Sequence, residues 1–576
     1  MKASEPDEGL ILTRPRGLGS SPRERWWRGE RLLAWLTGSA LALLVAVPIG
    51  MLAFASVRGP VGALPIQSRA YFTLDHYRDA LLRVSSWQMA LDTAVYVAGA
   101  TAVALLFGLA LAWLAVRAKI PAPNLLAALV VAPFLFPPSA ITGGWLRLLR
   151  PRSGAVNVFL REHFFQDAAS GPLDTANLPM LILGQGLFMV PITFLVLAAA
   201  LRNLNGASEE LSAASGGSPG ATLRRVTIPL LLPAILTGAV LGVWFCLDWI
   251  DAPFDLGAIG AVHLLTIRLH FQTIGSVGGF PNFGGAAAHA VLTLLVLAAL
   301  FFLYARWTRR GYETIGAPGA SPARRTRGPW MAPLLAAALF YLLAMWVAPG
   351  YNLASSVARG GTDAIAAAAS SGRFWEAAAN SLIAAAGSAT LGTAVVLAVA
   401  WLVVRGPRSA GRGLMDALAT APLVVPGLLA ASAFLLVYLW LDWLPLWGTH
   451  LGIILALSYR LAIPYRLTNA GMRQVDPAME EASATSGAPP LATLRRILLP
   501  LMAPTLGAAW IVFFVFAIRE RTVVSYVAFQ VRTFTTMGSV AGEPGANAAA
   551  ELAALLMSLA VVAAVRWLSL RAAARQ

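Results

Sequence analysis

Twelve runs of about 20 mostly apolar residues, spread along all 576 residues, constrain this chain more than any other feature. A helix must be about that long to cross a bilayer core, where backbone N–H and C=O groups find partners only within the segment. Six runs lie near 32–57, 89–116, 125–147, 178–201, 230–250 and 285–305. Six more lie near 331–349, 379–404, 414–440, 451–470, 501–518 and 547–568. Only 12% of the residues are charged, about half the share of a soluble domain, which is too little to coat a water-soluble globule. The predicted fold class is an all-α integral membrane protein with about 12 transmembrane helices. Soluble enzymes and nucleic-acid readers are excluded. The third run holds Pro133, Pro137 and Pro138, which neighbouring helices must compensate. The first run has basic residues before it and Ala53-Phe54-Ala55 after it. It exceeds the roughly 7–15-residue core of a signal peptide and is read as a retained helix.

The formal net charge of +16 suggests a nucleic-acid partner until its placement is considered. With an internal amino terminus and twelve spans, the inferred cytoplasmic segments hold nearly twice as many Lys and Arg as the outer ones. That excess sets both termini in the cytoplasm. The dense clusters run from Arg14 to Arg31, Arg306 to Arg327 and Arg566 to Arg575, where they face lipid headgroups. The charge is a topology signal, and no nucleic-acid partner is expected. The single cysteine, Cys246, excludes an internal disulfide and a cysteine-based metal site.

The chain divides about its centre. Residues 306–330 are rich in Gly, Pro and Arg without an apolar run, which marks a cytoplasmic linker. The expected organisation is a cytoplasmic tail at 1–30, one six-helix half at 31–305, this linker, and a second six-helix half at 331–576. The halves share a sequence element. Glu209 to Pro229 (EELSAASGGSPGATLRRVTIP) recurs as Glu480 to Pro500 (EEASATSGAPPLATLRRILLP), with 13 of 21 positions identical. So long a period means a duplicated domain. An even number of spans per half makes the two copies parallel repeats. Each copy lies in a cytoplasmic loop, at 205–229 and 476–500, between the fourth and fifth spans of its half. Asn205 and Asp476 suit an N-cap, and Pro477 suits a first helical position. Glu209, Glu210, Glu480 and Glu481 fall in first turns, where the helix dipole favours negative charge. Gly216 and Gly487 end the short helix, and Pro219 and Pro490 open a second one carrying Arg224-Arg225 or Arg495-Arg496 towards the membrane.

These loops resemble the cytoplasmic Glu-Ala-Ala signature of membrane subunits from binding-protein-dependent ATP-binding-cassette (ABC) importers. The alanine after the glutamates survives only as Ala482, Leu211 standing in the first copy. Two copies in one chain resemble the fused permeases, and the likeness extends from about residue 30 to 570. It is strongest to ferric-iron permeases. The stretches that carry it are Phe72 to Tyr77, Gly144-Trp145 through Pro151, Gly154 and Asn157, Pro281 to Gly284, Tyr312 to Gly316, and Arg519-Glu520. These are shared in part with fused permeases for thiamine, phosphonates and other small solutes. Where the iron group commonly carries an acidic-Phe-Gly stretch, this chain reads Asp248-Trp249-Ile250-Asp251-Ala252-Pro253-Phe254-Asp255.

The resemblance implies a type I ABC importer-like fold in a bacterial inner membrane. It implies coupling to ATPase subunits through Glu209, Glu210, Gly216, Glu480, Glu481 and Gly487, and solute delivery by an extracytoplasmic binding protein. No cofactor is implied on this chain, ATP and Mg belonging to two partner ATPase subunits. The two lysines agree: Lys2 and Lys119 both lack the glycine-rich context of a phosphate-binding loop.

Other chemistry is sparse. Asp248, Asp251 and Asp255 near the end of the fifth span, and Glu520 near the end of the eleventh, are candidates for a solute pathway, because ionisable groups at membrane depth are costly. Interfacial carboxylates facing water are the alternative. Six histidines show no metal-ligand spacing, His263 and His270 being seven apart, so no metal site is expected. Trp26-Trp27, Trp443 and Trp447 suit interfacial anchoring. A six-plus-six secondary transporter would carry its signature in the loop after the second span, which here reads Val116-Arg117-Ala118-Lys119-Ile120-Pro121. A membrane-embedded enzyme would need a polar cluster on intramembrane helices.

Overall fold

The computed structural model describes residues 22–574 apart from 166–168, 205–206, 258–261, 276–279, 309–330, 407–409 and 537–543. Residues 1–21 of the amino-terminal tail, most of the expected linker, and the Asn205 cap lie outside the described residues. The described chain is helical apart from loops and one two-residue antiparallel pair, Arg58–Gly59 with Tyr71–Phe72.

Among the described residues, nine helices are long and apolar enough to cross a membrane. They are Arg31–Ala55, Val84–Val116, Leu178–Asn203, Gly220–Asp248, Phe283–Thr308, Met331–Ala358, Gly372–Arg405, Leu491–Ile518 and Ala549–Ser569. Two bent pairs raise the number to eleven if each is one span: Pro123–Leu135 with Pro138–Leu149, bent by 94°, and Gly411–Leu423 with Gly427–Trp440, bent by 114°. Proline causes both bends. It removes a donor and restricts the residue before it, and Pro137-Pro138 and Pro426 sit at the two breaks.

The run at 451–470 departs from the expected single span. It forms two short helices, His450–Leu457 and Ala462–Gln474. Pro464 cannot donate to the carbonyl of Arg460 and clashes with it, so the ladder stops at Ser458 and restarts at Ala462. The break also lets the Arg460 guanidinium reach two carboxylates, which offsets lost backbone bonds. Pro191 in Leu178–Asn203 leaves that helix continuous.

The first span of each expected half packs against the other half. Leu41, Leu44, Met51 and Leu52 join the core built on Val396, Leu428, Phe434 and Phe514. Ala338, Tyr341 and Met345 join the core built on Tyr96, Leu111, Val190 and Phe245. Polar anchors fix the second crossing: the Tyr341 hydroxyl donates to the Val130 carbonyl (2.9 Å), Trp346 Nε1 to Leu129 O (3.0 Å), and Trp145 Nε1 to Ala344 O (3.0 Å). The packed cores therefore mix residues from both sides of the expected division at 306–330.

Apolar burial gives helices little reason to associate inside lipid, so close packing of small residues and interhelical hydrogen bonds do that work. Val84–Val116 against Leu178–Asn203 shows both. A Cβ on Gly108 would sit 2.2 Å from Thr193 Oγ1, and that hydroxyl donates across to Ala104 O at 2.7 Å.

Candidate functional site

Two places bring the expected site residues together: the repeated loops and a buried charge cluster between the cores.

In the second loop, Asp476 accepts from the Ala478 amide (2.9 Å) and Pro477 occupies the first position of helix Pro477–Thr485. The first loop carries the helix Ala207–Ala214. Gly216 (φ +79°) and Gly487 (φ +77°) adopt the left-handed conformation that ends both helices. No atom lies within 4 Å of a Cβ built at either position, so backbone conformation, and not space, selects glycine. Ser212 and Thr222 share a hydroxyl bond (2.8 Å), as do Ser483 and Thr493 (2.7 Å), tying each loop helix to the next segment.

That segment runs into the membrane without a stop. Pro229 and Pro500 lack an N–H, and both copies answer with one widened turn, Leu223–Thr227 and Leu494–Leu498. The Ile228 and Leu499 amides then reach five residues back, to Leu223 O and Leu494 O. The loop thereby continues without a break into Gly220–Asp248 or Leu491–Ile518.

The first glutamate of each pair, Glu209 and Glu480, points inward. The first-turn position leads one to expect projection into solvent, whereas Glu480 is only 7% exposed. Its Oε1 accepts from Arg405 Nε at 2.8 Å, and Arg405 Nη2 also donates to Val475 O at 2.6 Å. Glu209 Oε1 accepts from the Thr227 hydroxyl (3.0 Å) and lies 3.6 Å from Arg117 Nη2. Arg117 and Arg405 stand at the ends of the helices Val84–Val116 and Gly372–Arg405. The carboxylates thus clamp each loop helix to the foot of a spanning helix. Glu210 and Glu481 are exposed.

The second place is the acidic set. Asp248, Asp251, Asp255 and Glu520 meet arginines at the contact between the cores and do not face open water. Arg460 Nη1 donates to Asp248 Oδ2 at 2.8 Å, and Nη2 donates to Glu520 Oε2 at 2.5 Å. The Gly427 amide, at the start of the helix following the second bend, donates to Asp248 Oδ1. A Cβ on Gly427 would lie 2.7 Å from both Arg460 Nη2 and Asp248 Oδ1, so this approach demands glycine. Glu520 Oε1 accepts from the Val523 amide (3.1 Å) and caps the short helix Thr522–Val527. Arg521 Nη1 lies 3.1 Å from Asp255 Oδ1 and 3.4 Å from Asp251 Oδ1, while Thr142 donates to Asp255 Oδ2 at 2.8 Å. Arg519 lies over Phe134, its guanidinium carbon 4.3 Å from the ring centre, with Phe188 and Trp249 at 5.5 Å.

Sequence reasoning named the four acids and gave no role to Arg460, Arg519 or Arg521. A basic residue inside an apolar run was the available signal for Arg460. A second polar group sits nearby: Glu551 Oε2 accepts from Asn352 Nδ2 (2.8 Å), and Arg147 donates to Asn352 O (2.8 Å).

Among the described residues, no group of three or more His, Cys, Asp or Glu is arranged to hold a metal ion. His263 is exposed, and His270 shares a bond with the Tyr526 hydroxyl at 3.0 Å. Burial, reinforced by Arg521, pushes the His270 imidazole down to about 4, so it is neutral near pH 7.

Residues 390–574, which hold the second loop, Arg460 and Glu520, match the family described as binding-protein-dependent transport system inner membrane component. That match covers about the last third of the chain. Among curated proteins, a putative ferric transport system permease protein of Haemophilus influenzae is 26% identical over 429 residues, covering 70% of this chain and 64% of its own. A ferric transport system permease protein of Actinobacillus pleuropneumoniae is 25% identical over 434 residues, covering 71% and 59%. The chain spans less than two thirds of the length of either relative. A solved bacterial ABC transporter involved in import of the acidic polysaccharide alginate aligns with a TM-score of 0.39 and 14% identity, covering 50% of this chain and 99% of that one.

Proposed function

We propose that this chain is the fused permease of an ABC importer, built as two parallel six-helix repeats, and that it carries ferric iron. One observation carries the reading: both loop copies end in a widened turn that continues into a spanning helix. This construction suits transmission of force from a cytoplasmic partner. Two ATPase subunits dock at 205–229 and 476–500, and their closure switches a central cavity between outward and inward access. Glu209, Glu210, Gly216, Glu480, Glu481 and Gly487 shape those docking loops. ATP and Mg reside on the ATPases, and an extracytoplasmic binding protein delivers the solute. The family match at 390–574 and the names of the two ferric relatives support the class and the solute.

The protein sits in the bacterial inner membrane with both termini cytoplasmic, as the arginine bias favours. Reporter fusions at Gly59, Ser321 and Gln576 test this orientation. An extracytoplasmic reporter is expected to be active only at Gly59, and activity at Ser321 or Gln576 defeats the arrangement.

Deleting the gene is expected to slow growth under iron limitation and to abolish uptake of labelled ferric iron. Normal iron uptake with loss of thiamine or phosphonate uptake would transfer the function to that solute.

A further inference from the structure

Three small cavities border the charge cluster. One is bounded by Trp145, Gln185, Phe188 and Asp251. A second, bounded by Phe516, Arg519, Glu520 and Arg521, shares Pro138, Trp249 and Asp251 with the first. A third, bounded by Trp244, Arg460 and Pro464, shares Phe516 with the second. Together they form a constricted line past the charge cluster.

Hydrogen-bonding capacity along this line is unbalanced. In the second and third cavities the buried side-chain atoms without a partner are Arg519 Nε and Nη2, Arg460 Nε and Trp244 Nε1. All four are donors. In the first cavity the Gln185 amide lacks partners at both ends and can serve either way. The carboxylates, by contrast, are engaged. Glu520 binds Arg460 and an amide, and Asp251 and Asp255 share Arg521. Arg519 is 7% exposed; Asp251 and Glu520 stand near enough to act on its charge, yet both are bonded to other arginines and neither bonds to Arg519 among the described residues. An unpaired buried cation with unfilled donors is costly, and buried polar groups left without partners in a folded protein call for an explanation.

We propose that this line is the closed solute path, and that it receives its solute through acceptor oxygens, an oxyanion or carboxylate group binding at Arg519. The proposal deepens the importer reading and rests on it only in taking the cavities as a path. A bare metal cation meets repulsion from Arg519 and finds its nearest carboxylates already held by arginines. An anionic oxygen group instead fills the donors of Arg519, and the planar guanidinium fork suits it in two-point contact. Phe134, Phe188 and Trp249 surround the guanidinium carbon at 4.3–5.5 Å, while Nε and Nη2 keep hydrogens without partners for the ligand. A metal crossing here travels as a complex whose outer oxygens face the arginine.

The test is equilibrium binding of radiolabelled sulfate, phosphate and citrate to the full chain with its ATPase pair in lipid nanodiscs, chloride holding the ionic strength constant. At least one probe is expected to bind saturably. Arg519→Gln is expected to weaken that binding tenfold or more. Arg519→Lys, which keeps the charge and loses the fork, is expected to weaken it about threefold and carries the test if the glutamine variant does not insert. Absence of saturable binding by all three probes overturns the proposal, as does unchanged affinity in an inserted Arg519 variant. Iron uptake in the deletion strain is read separately. Lost uptake without anion binding removes this site and leaves the importer standing, and anion binding with all uptake intact does the reverse.

Discussion

Arg460→Met is expected to destabilise the protein by about 3–5 kcal/mol, the cost of stranding buried charge when one partner is removed. Arg460 is 7% exposed and serves Asp248 and Glu520 at once, one acid from each sequence half. Its removal leaves two carboxylates facing each other where water is scarce. Methionine occupies similar length and keeps contact with Phe516 and Trp244, whose ring centres lie 5.5 and 5.9 Å from the guanidinium carbon. The loss is therefore electrostatic more than steric. Replacing all three residues together, Arg460→Met with Asp248→Asn and Glu520→Gln, is expected to recover much of the stability, because no charge is then stranded. Thermal unfolding of the detergent-solubilised chain measures both. A single variant that melts with the wild type would show that the cluster is hydrated and that Arg460 does not bind the halves together.

The distinction between what sequence carries and what only packing supplies is visible in this same cluster. Apolar runs and prolines announced the helices and one of the bends, because both act locally on the backbone. Pro133, Pro137 and Pro138 mark the first bend, and the equivalent signal at Pro422 and Pro426 is masked by the long apolar run that contains it. The loop geometry was legible to the turn: Asp476, Pro477 and Gly487 act where their spacing placed them. The partners of the acids were not legible. Asp248 and Arg460 are 212 residues apart, and their meeting depends on a helix break whose cause, Pro464, resembles the tolerated Pro191 in sequence. The crossing of the first spans was equally hidden, since in lipid an apolar helix carries no mark of which apolar neighbour it prefers.

Glu480 shows how burial changes the meaning of a motif. A first-turn glutamate reads as an exposed contact for a partner, yet here it is spent on Arg405 within the same chain. Its expected effect on coupling is therefore indirect. Glu480→Ala should free the loop helix from the foot of Gly372–Arg405, so that ATPase closure still moves Leu491–Ile518 but no longer carries Gly372–Arg405 with it. Glu209→Ala should do the same more weakly, because Arg117 stands 3.6 Å away and Thr227 supplies the closer bond. The double variant is expected to lose nearly all transport-coupled ATP hydrolysis. A double-mutant cycle separates clamp from contact. If Glu480 acts through Arg405, then Arg405→Ala reproduces the Glu480→Ala defect, and the pair shows a coupling energy of about 1–3 kcal/mol because the second loss adds little. If Glu480 meets the ATPase directly, the two defects add and the ATPase dissociates on purification only when the glutamate is lost. Additive defects would falsify the clamp and return Glu480 to the interface.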